Sequence, residues 1–217
     1  MSKLTKKLDD EIVHHMIKKE CGRIALGSIL GDGYLTPITK RTENSRLWLK
    51  YNDKTFAYLQ WMHKKLAPFG VGEIKEKRGY RQHYFLTDQS DFLGVLRKWF
   101  YPDGHTKNIP KNIKELFVHP ISLAVWYMDD GTLDVRRKYH WNPMMSTYCF
   151  SFDDHVRLTE VLGENFGIRS SITRCTMRGK LYYRLYILSE SVPRFMKLVE
   201  PYMHTCFRYK IQKGRQQ

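Results

Sequence analysis

The stretch Ile121-Ser-Leu-Ala-Val-Trp-Tyr-Met-Asp-Asp-Gly131 is an apolar run that ends abruptly in two carboxylates and a glycine. Burying such a helix places acids where charge is costly, so something must repay that cost. An earlier stretch, Ile24-Ala-Leu-Gly-Ser-Ile-Leu-Gly-Asp-Gly33, has the same grammar. In each, about two helical turns of apolar or small residues lead to Asp and then Gly. The two read as one element used twice.

Working outward, the first motif helix runs from about position 20 to Gly33, read as its stop. Gly27 and Gly31, four apart, leave room for another helix to approach its backbone. Strand-like runs at 34–40 and 46–51 follow, then a helix over 53–69 that stops at Gly70. Strands at 73–78 and 81–87 and a helix over 90–100 close the unit. A polar, Pro-containing segment comes next, and the pattern restarts. After the second motif come strands at 132–138 and 144–151, a helix over 153–166 stopping at Gly167, strands at 171–177 and 181–188, and a helix over 191–202.

Spacing supports the duplication: Asp32 and Asp130 lie 98 positions apart, Gly70 and Gly167 lie 97 apart, and each of the latter follows a Phe. The expected fold class is α+β, a pseudo-two-fold tandem repeat of αββαββα units with two antiparallel sheets and the motif helices as the contact between halves. The expected division is a basic N-terminal helix over 1–19, a first half over 20–104, a connector over 105–120 and a second half over 121–217.

The chain of 217 residues carries 37 Lys and Arg against 22 Asp and Glu, a formal charge of +15, which points to a polyanionic partner, nucleic acid above all. No stretch approaches the roughly 20 apolar residues of a membrane span, so no membrane partner is expected. The mixed charges of the first residues fit neither a secretory signal nor a transit peptide, and the mature chain is expected to begin there. Cys21, Cys149, Cys175 and Cys206 form no Cys-x-x-Cys pair, so a reducing intracellular compartment is the default and its identity stays open. The nine histidines offer no metal-binding pair on a helix.

If the two motif helices pack side by side, Asp32 and Asp130 meet where both macrodipoles are negative, and a divalent cation removes that repulsion. Paired carboxylates with few nitrogen or sulfur ligands suit Mg²⁺, with Mn²⁺ as a substitute, and a basic protein built this way suits phosphodiester hydrolysis. The bland alternative for each aspartate is a helix-end carboxylate capping a loop. Asp129, about 100° away around the helix, aligns with Gly31 rather than with an acid.

Ala25-Leu-Gly-Ser-Ile-Leu-Gly-Asp-Gly33 and Leu123-Ala-Val-Trp-Tyr-Met-Asp-Asp-Gly131 resemble the paired motifs of LAGLIDADG homing endonucleases in their single-chain form. The resemblance covers about residues 20–211. It implies saddle-shaped sheets that bind double-stranded DNA, and Mg²⁺-dependent cutting of both strands at a long site, leaving 3′ overhangs. It also implies a monomer encoded within an intron. Carried over by position, the metal-binding acids are Asp32 and Asp130, with the Gly31 and Asp129 main chain beside them. The supporting basic residues are Lys107 and Lys210, and Gly27, Gly31 and Val125 fall at the helix contact. Val125, Trp126 and Tyr127 are larger than the family pattern, which bears on how closely the helices approach.

Alternation along the strands offers the DNA Arg46, Trp48 and Lys50 in the first half and Tyr182, Arg184 and Tyr186 in the second. Lys75, Lys77, Arg78, Arg81, His83, Arg136, Lys138, Arg178 and Lys180 add charge at strands and turns, suited to phosphate. A slip of one residue in register would exchange inward and outward faces. The alternative function on this scaffold is an intron RNA maturase, and a third is a sequence-specific regulator with an inactive metal site.

Overall fold

The computed structural model describes residues 3–38, 42–137 and 140–211. The chain divides into two compact units, Met1–Thr106 and Lys107–Gln217. Each contains one four-stranded antiparallel sheet, and the two sheets have the same connectivity, β1-β2-β4-β3 and β5-β6-β8-β7.

In the first unit, α1 (Lys3–Ile17) packs on α2 (Glu20–Leu30) and α4 (Asp91–Phe100). β1 (Tyr34–Leu35) and β2 (Leu47–Asn52) form a hairpin, and β4 (Gln82–Leu86) lies between β2 and β3 (Lys75–Lys77). Within the described part of the run over 34–40, β1 stops at Leu35, ahead of Pro37, which cannot donate to a ladder; residues 39 and 40 lie outside the described residues. α3 (Phe56–Lys65) covers one face of this sheet. Leu47, Leu49 and Tyr51 point into that core with Phe85, beneath Tyr58, Leu59 and Met62. Pro68 tightens the end of the segment into a separate 3₁₀ turn before Gly70, whose φ of 68° suits glycine. The Ser90 hydroxyl caps α4 by accepting from the Leu93 N–H.

In the second unit, α6 (Pro120–Asp130) runs directly into β5 (Gly131–Arg137), which pairs with β6 (His140–Met145). α7 (Phe152–Phe166) covers β7 (Ser170–Met177) and β8 (Lys180–Ile187), and α8 (Val192–Val199) packs on α6. β6 ends at Met145 instead of reaching 151. Among the described residues its ladder to β8 pairs Met144 with Tyr186 and Met145 with Leu185, and the Asn142 side chain donates to the Ile187 carbonyl. Residues 146–151 instead turn into the N-terminus of α7, where Ser151 and Asp154 form a capping box. β7 and β8 meet in a two-residue turn at Arg178 and Gly179, both with positive φ. Of the connector expected over 105–120, the residues from Lys107 onward belong to this unit: Ile109, Ile113, Leu116 and Phe117 are buried, and α5 (Ile113–Leu116) packs on α7.

Candidate metal centre and nucleic-acid interface

The Asp-Gly ends of the two motif helices are built by close approach, not by a left-handed glycine. α2 stops at Leu30, so Gly33 is not its terminator. The chain instead folds back until the Gly33 N–H reaches the Ser28 carbonyl at 2.7 Å, and a Cβ at Gly33 would lie 2.6 Å from that oxygen. At Gly131 a Cβ would lie 2.3 Å from the Tyr127 carbonyl and within its ring. In both motifs only glycine leaves the preceding aspartate at the helix end. Asp32 is exposed and Asp130 half-buried.

Trp126 and Tyr127 are accommodated inside their own unit. The Trp126 ring meets Phe117 edge-on at 5.7 Å, and the Tyr127 ring meets Phe195 at 4.9 Å. The Tyr127 hydroxyl donates to the Lys210 carbonyl at 2.9 Å. In return the ammonium of Lys210, a residue only 6% exposed, donates to the Met128 carbonyl at 2.6 Å and the Tyr127 carbonyl at 3.4 Å. A cation thus sits on the last carbonyls of α6, where the helix dipole favours it. It lies against the carbonyl two residues before Asp130.

Lys107 is half-buried, and its charge acts on the exposed Cys149 thiol in the turn after β6. Although Cys149 reaches solvent, the protein around it pushes its pKa up by desolvation; Lys107 pulls it down, and the Asp130 and Asp154 carboxylates push it up. One small region of the second unit therefore holds Asp130, Lys107 and Cys149. The Ser146 N–H fixes it further by donating to the Asp130 carbonyl at 2.9 Å.

The helix-free face of the first sheet carries Trp48, Lys50, Tyr84, Gln82, Lys75 and Lys77, which the pairing register places side by side. Tyr34, Trp48 and Tyr84 form an aromatic row, with ring centroids 6.2 and 6.0 Å apart, and the Lys50 ammonium lies 5.8 Å over the Trp48 ring. Arg46 is exposed just before β2, and Arg78 and Arg81 lie at the β3–β4 turn. His83 is misplaced in the reading from sequence: it pairs with Tyr51 on the opposite face, packs on Phe56 and contacts the Asp53 carboxylate at 3.0 Å. Phe85 sets that register by burying itself under α3, so the outward residues of β4 are Gln82 and Tyr84. Both were missed, although the alternation around Phe85 carried the signal.

On the second sheet, Tyr182, Arg184 and Tyr186 share a face with Cys175, Thr173 and Ser171, opposite Tyr183, which packs on α7 through Phe152 and His155. The Arg184 Nε donates to the Thr173 hydroxyl. Arg178 lies in the turn and Lys180 just after it, and both are exposed. Lys138 and the Arg136 side chain lie outside the described residues.

No helix among the described residues is long and apolar enough to cross a membrane. The sequence pattern of the LAGLIDADG DNA endonuclease family matches residues 23–195. Among curated proteins, the chain is 28% identical over 204 residues to the cytochrome b mRNA maturase bI2 of Saccharomyces cerevisiae, covering 87% of this chain and 46% of that protein. It is 28% identical over 209 residues to the DNA endonuclease I-ChuI of Chlamydomonas applanata, covering 88% and 94%. The chain thus spans about half the length of some curated relatives and nearly all of another. Among solved structures, the homing endonuclease I-WcaI bound to its DNA recognition sequence superposes with a TM-score of 0.75 at 23% identity, covering 98% of this chain and 94% of that one. The duplicated topology, the two Asp-Gly helix ends and a match over most of its length agree: the chain belongs to the LAGLIDADG DNA endonuclease family.

Proposed function

We propose that the protein is a homing endonuclease that binds a long, asymmetric double-stranded DNA site and hydrolyses one phosphodiester in each strand, leaving 3′ overhangs. The observation that carries this reading is the end of α6, where Asp130 follows carbonyls already neutralised by the buried Lys210 ammonium. Such an end tolerates a carboxylate that a bare helix C-terminus would repel. One acid, Asp32 or Asp130, is assigned to each strand. Two copies of the motif in one chain support action as a monomer.

The donor set fits a hard divalent cation. In the first unit the Asp32 carboxylate and the Gly31 main-chain oxygen, and in the second the Asp130 carboxylate and the Asp129 main-chain oxygen, offer oxygen donors of the kind such an ion takes. Such a centre keeps coordination places for water and phosphate, which suits Mg²⁺, with Mn²⁺ in its place. The bound ion would stabilise the charge that develops on phosphate oxygens. Lys107 and Lys210 add positive charge beside the same end. Arg46, Trp48, Lys50, Lys75, Lys77, Tyr182, Arg184 and Tyr186 contact the duplex, and Arg78, Arg81, Arg178 and Lys180 take its phosphates.

A linear DNA carrying the joined flanks of the intron that holds the gene is the substrate to test. Wild-type protein should cut both strands in Mg²⁺, whereas Asp130→Asn should bind and not cut. Equal cutting by the variant would remove Asp130 from the chemistry, and tight binding without any cutting by wild type would instead favour a regulator. The likeness to a maturase supports a second reading, assistance to intron RNA splicing. Splicing help that survives Asp32→Asn would show an activity that needs no nuclease centre.

A further inference from the structure

We infer that Asp154, on the first turn of α7, is a positioning residue that holds the Lys107 segment and the Asp130 end of α6 in fixed relation within the second unit. The inference rests on the endonuclease reading for its consequence and on hydrogen bonds for its geometry. Asp154 is 1% exposed, and both carboxylate oxygens are fully used. Oδ2 accepts from the Ser151 N–H at 3.0 Å, which with the Asp154 N–H donating to the Ser151 hydroxyl at 3.2 Å makes the capping box, and it also accepts from that hydroxyl at 2.7 Å. Oδ1 accepts from Arg157 at 2.7 Å and from the Ile109 N–H, 45 residues earlier, at 2.9 Å.

A cap requires only Oδ2. The bond to Ile109 is what goes beyond capping, because Ile109 lies two residues past Lys107 and its own side chain is buried. From the other side, Ser151 ends the 146–151 turn whose first N–H holds the Asp130 carbonyl. The next residue strengthens that turn: His155 Nδ1 donates to the Ser151 carbonyl at 2.7 Å, and its Nε2 meets the Thr147 hydroxyl at 2.6 Å. One helical turn therefore grips the segment bearing the lysine and the turn that touches the acid. A buried carboxylate is expensive, and an apolar residue would pack there at less cost. The first unit has no counterpart: the repeat offset of 97 to 98 places Ala57 or Phe56 at this position.

Asp154→Asn keeps the shape but turns one acceptor into a donor, so it cannot keep the bonds to Ser151 and Ile109 together. It is expected to slow cleavage of bound DNA about 100-fold while target affinity stays within about threefold, as a displacement of about 1 Å near the chemistry does. Asn165→Ala, which removes two bonds from the far end of α7 to the Lys114 and Phe117 carbonyls, serves as the control for lost stability. Its cleavage rate should match wild type; an equal loss in both variants would overturn the proposal.

A second arm needs no cleavage. Carboxamidomethylation of Cys149 by iodoacetamide, followed by peptide mass, reports the charge around it. Losing the Asp154 charge alone would speed the reaction, whereas displacing Lys107 would slow it. The expected result is slowing in Asp154→Asn that disappears in a Lys107→Met background; equal acceleration in both backgrounds overturns the proposal. Near-ultraviolet circular dichroism of the buried Trp126 and Tyr127 checks folding of the second unit in the same samples. If Asp154→Asn loses that signal, Ile109→Pro, which deletes the donor and spares the cap, takes its place with the same expected loss. A wild-type chain that cuts no DNA would sink the endonuclease reading and still leave the alkylation arm to judge Asp154.

Discussion

Replacing Tyr127 by Phe tests the reciprocal clamp at the end of α6. The Tyr127 hydroxyl holds the Lys210 main chain, and the Lys210 ammonium holds the Met128 and Tyr127 carbonyls, so each residue fixes the other. Both are buried, and burial pushes the phenol pKa well above its usual value, which keeps the hydroxyl a donor at every working pH. Tyr127→Phe removes one oxygen, keeps the ring against Phe195, and leaves the Lys210 carbonyl short of its donor. The expected cost is about 1–2 kcal/mol, the range for losing one partner of a buried neutral hydrogen bond. For a chain of this size that lowers Tm by about 2–8 °C. Urea unfolding followed by tryptophan fluorescence measures it. A coupling above about 0.5 kcal/mol with Lys210→Met in a double-mutant cycle would show that the two contacts act as a unit. A loss below about 0.5 kcal/mol, the lower edge for such a bond, would refute the clamp.

Gly131→Ala should cost more than about 2 kcal/mol, because the new methyl group meets the Tyr127 carbonyl and ring with no room to relax; the same urea assay reads it. Burial holds the His155 pKa below its ordinary 6.5, so on acidification the unfolded chain takes up that proton first. Stability should be full above about pH 6.5 and fall below it by at most about 1.4 kcal/mol per pH unit until the native His155 itself protonates, and His155→Gln should flatten that fall. Trp48→Ala should weaken binding of the cognate duplex by about 1–2 kcal/mol in a fluorescence titration, whereas His83→Ala on the opposite face should leave it unchanged within about 0.5 kcal/mol.

The duplication was legible because it is written twice: two Asp-Gly ends and two Phe-Gly stops at nearly equal offsets cannot be read separately. Strand faces were legible where an apolar residue alternates cleanly, as at Leu47, Leu49 and Tyr51. They failed at His83, where a polar residue takes an inward position under Phe56. β6 was placed too late because Asn142 and Pro143 disguise a strand whose pairing is partly made by a side chain. Where Trp126 and Tyr127 point depends on Phe117, in the segment before the helix, and on Phe195, far along the chain, and the helix's own pattern does not announce it. The Ser151–Asp154 cap has a sequence signature, but the reach of Asp154 to Ile109 is purely tertiary.

The seam between the units also has a practical side for anyone recombining halves of such proteins. Arg97 donates to the Leu35 and Gly104 carbonyls and lies 3.7 Å over the Tyr101 ring, so the chain up to Gly104 travels with the first unit. From Ile109 onward the residues are core of the second. A chimera joined at 120, where the second motif helix begins, would strip Ile113, Leu116 and Phe117 from the hydrophobic interior they complete. A crossover within the few residues after Gly104 delivers each module whole.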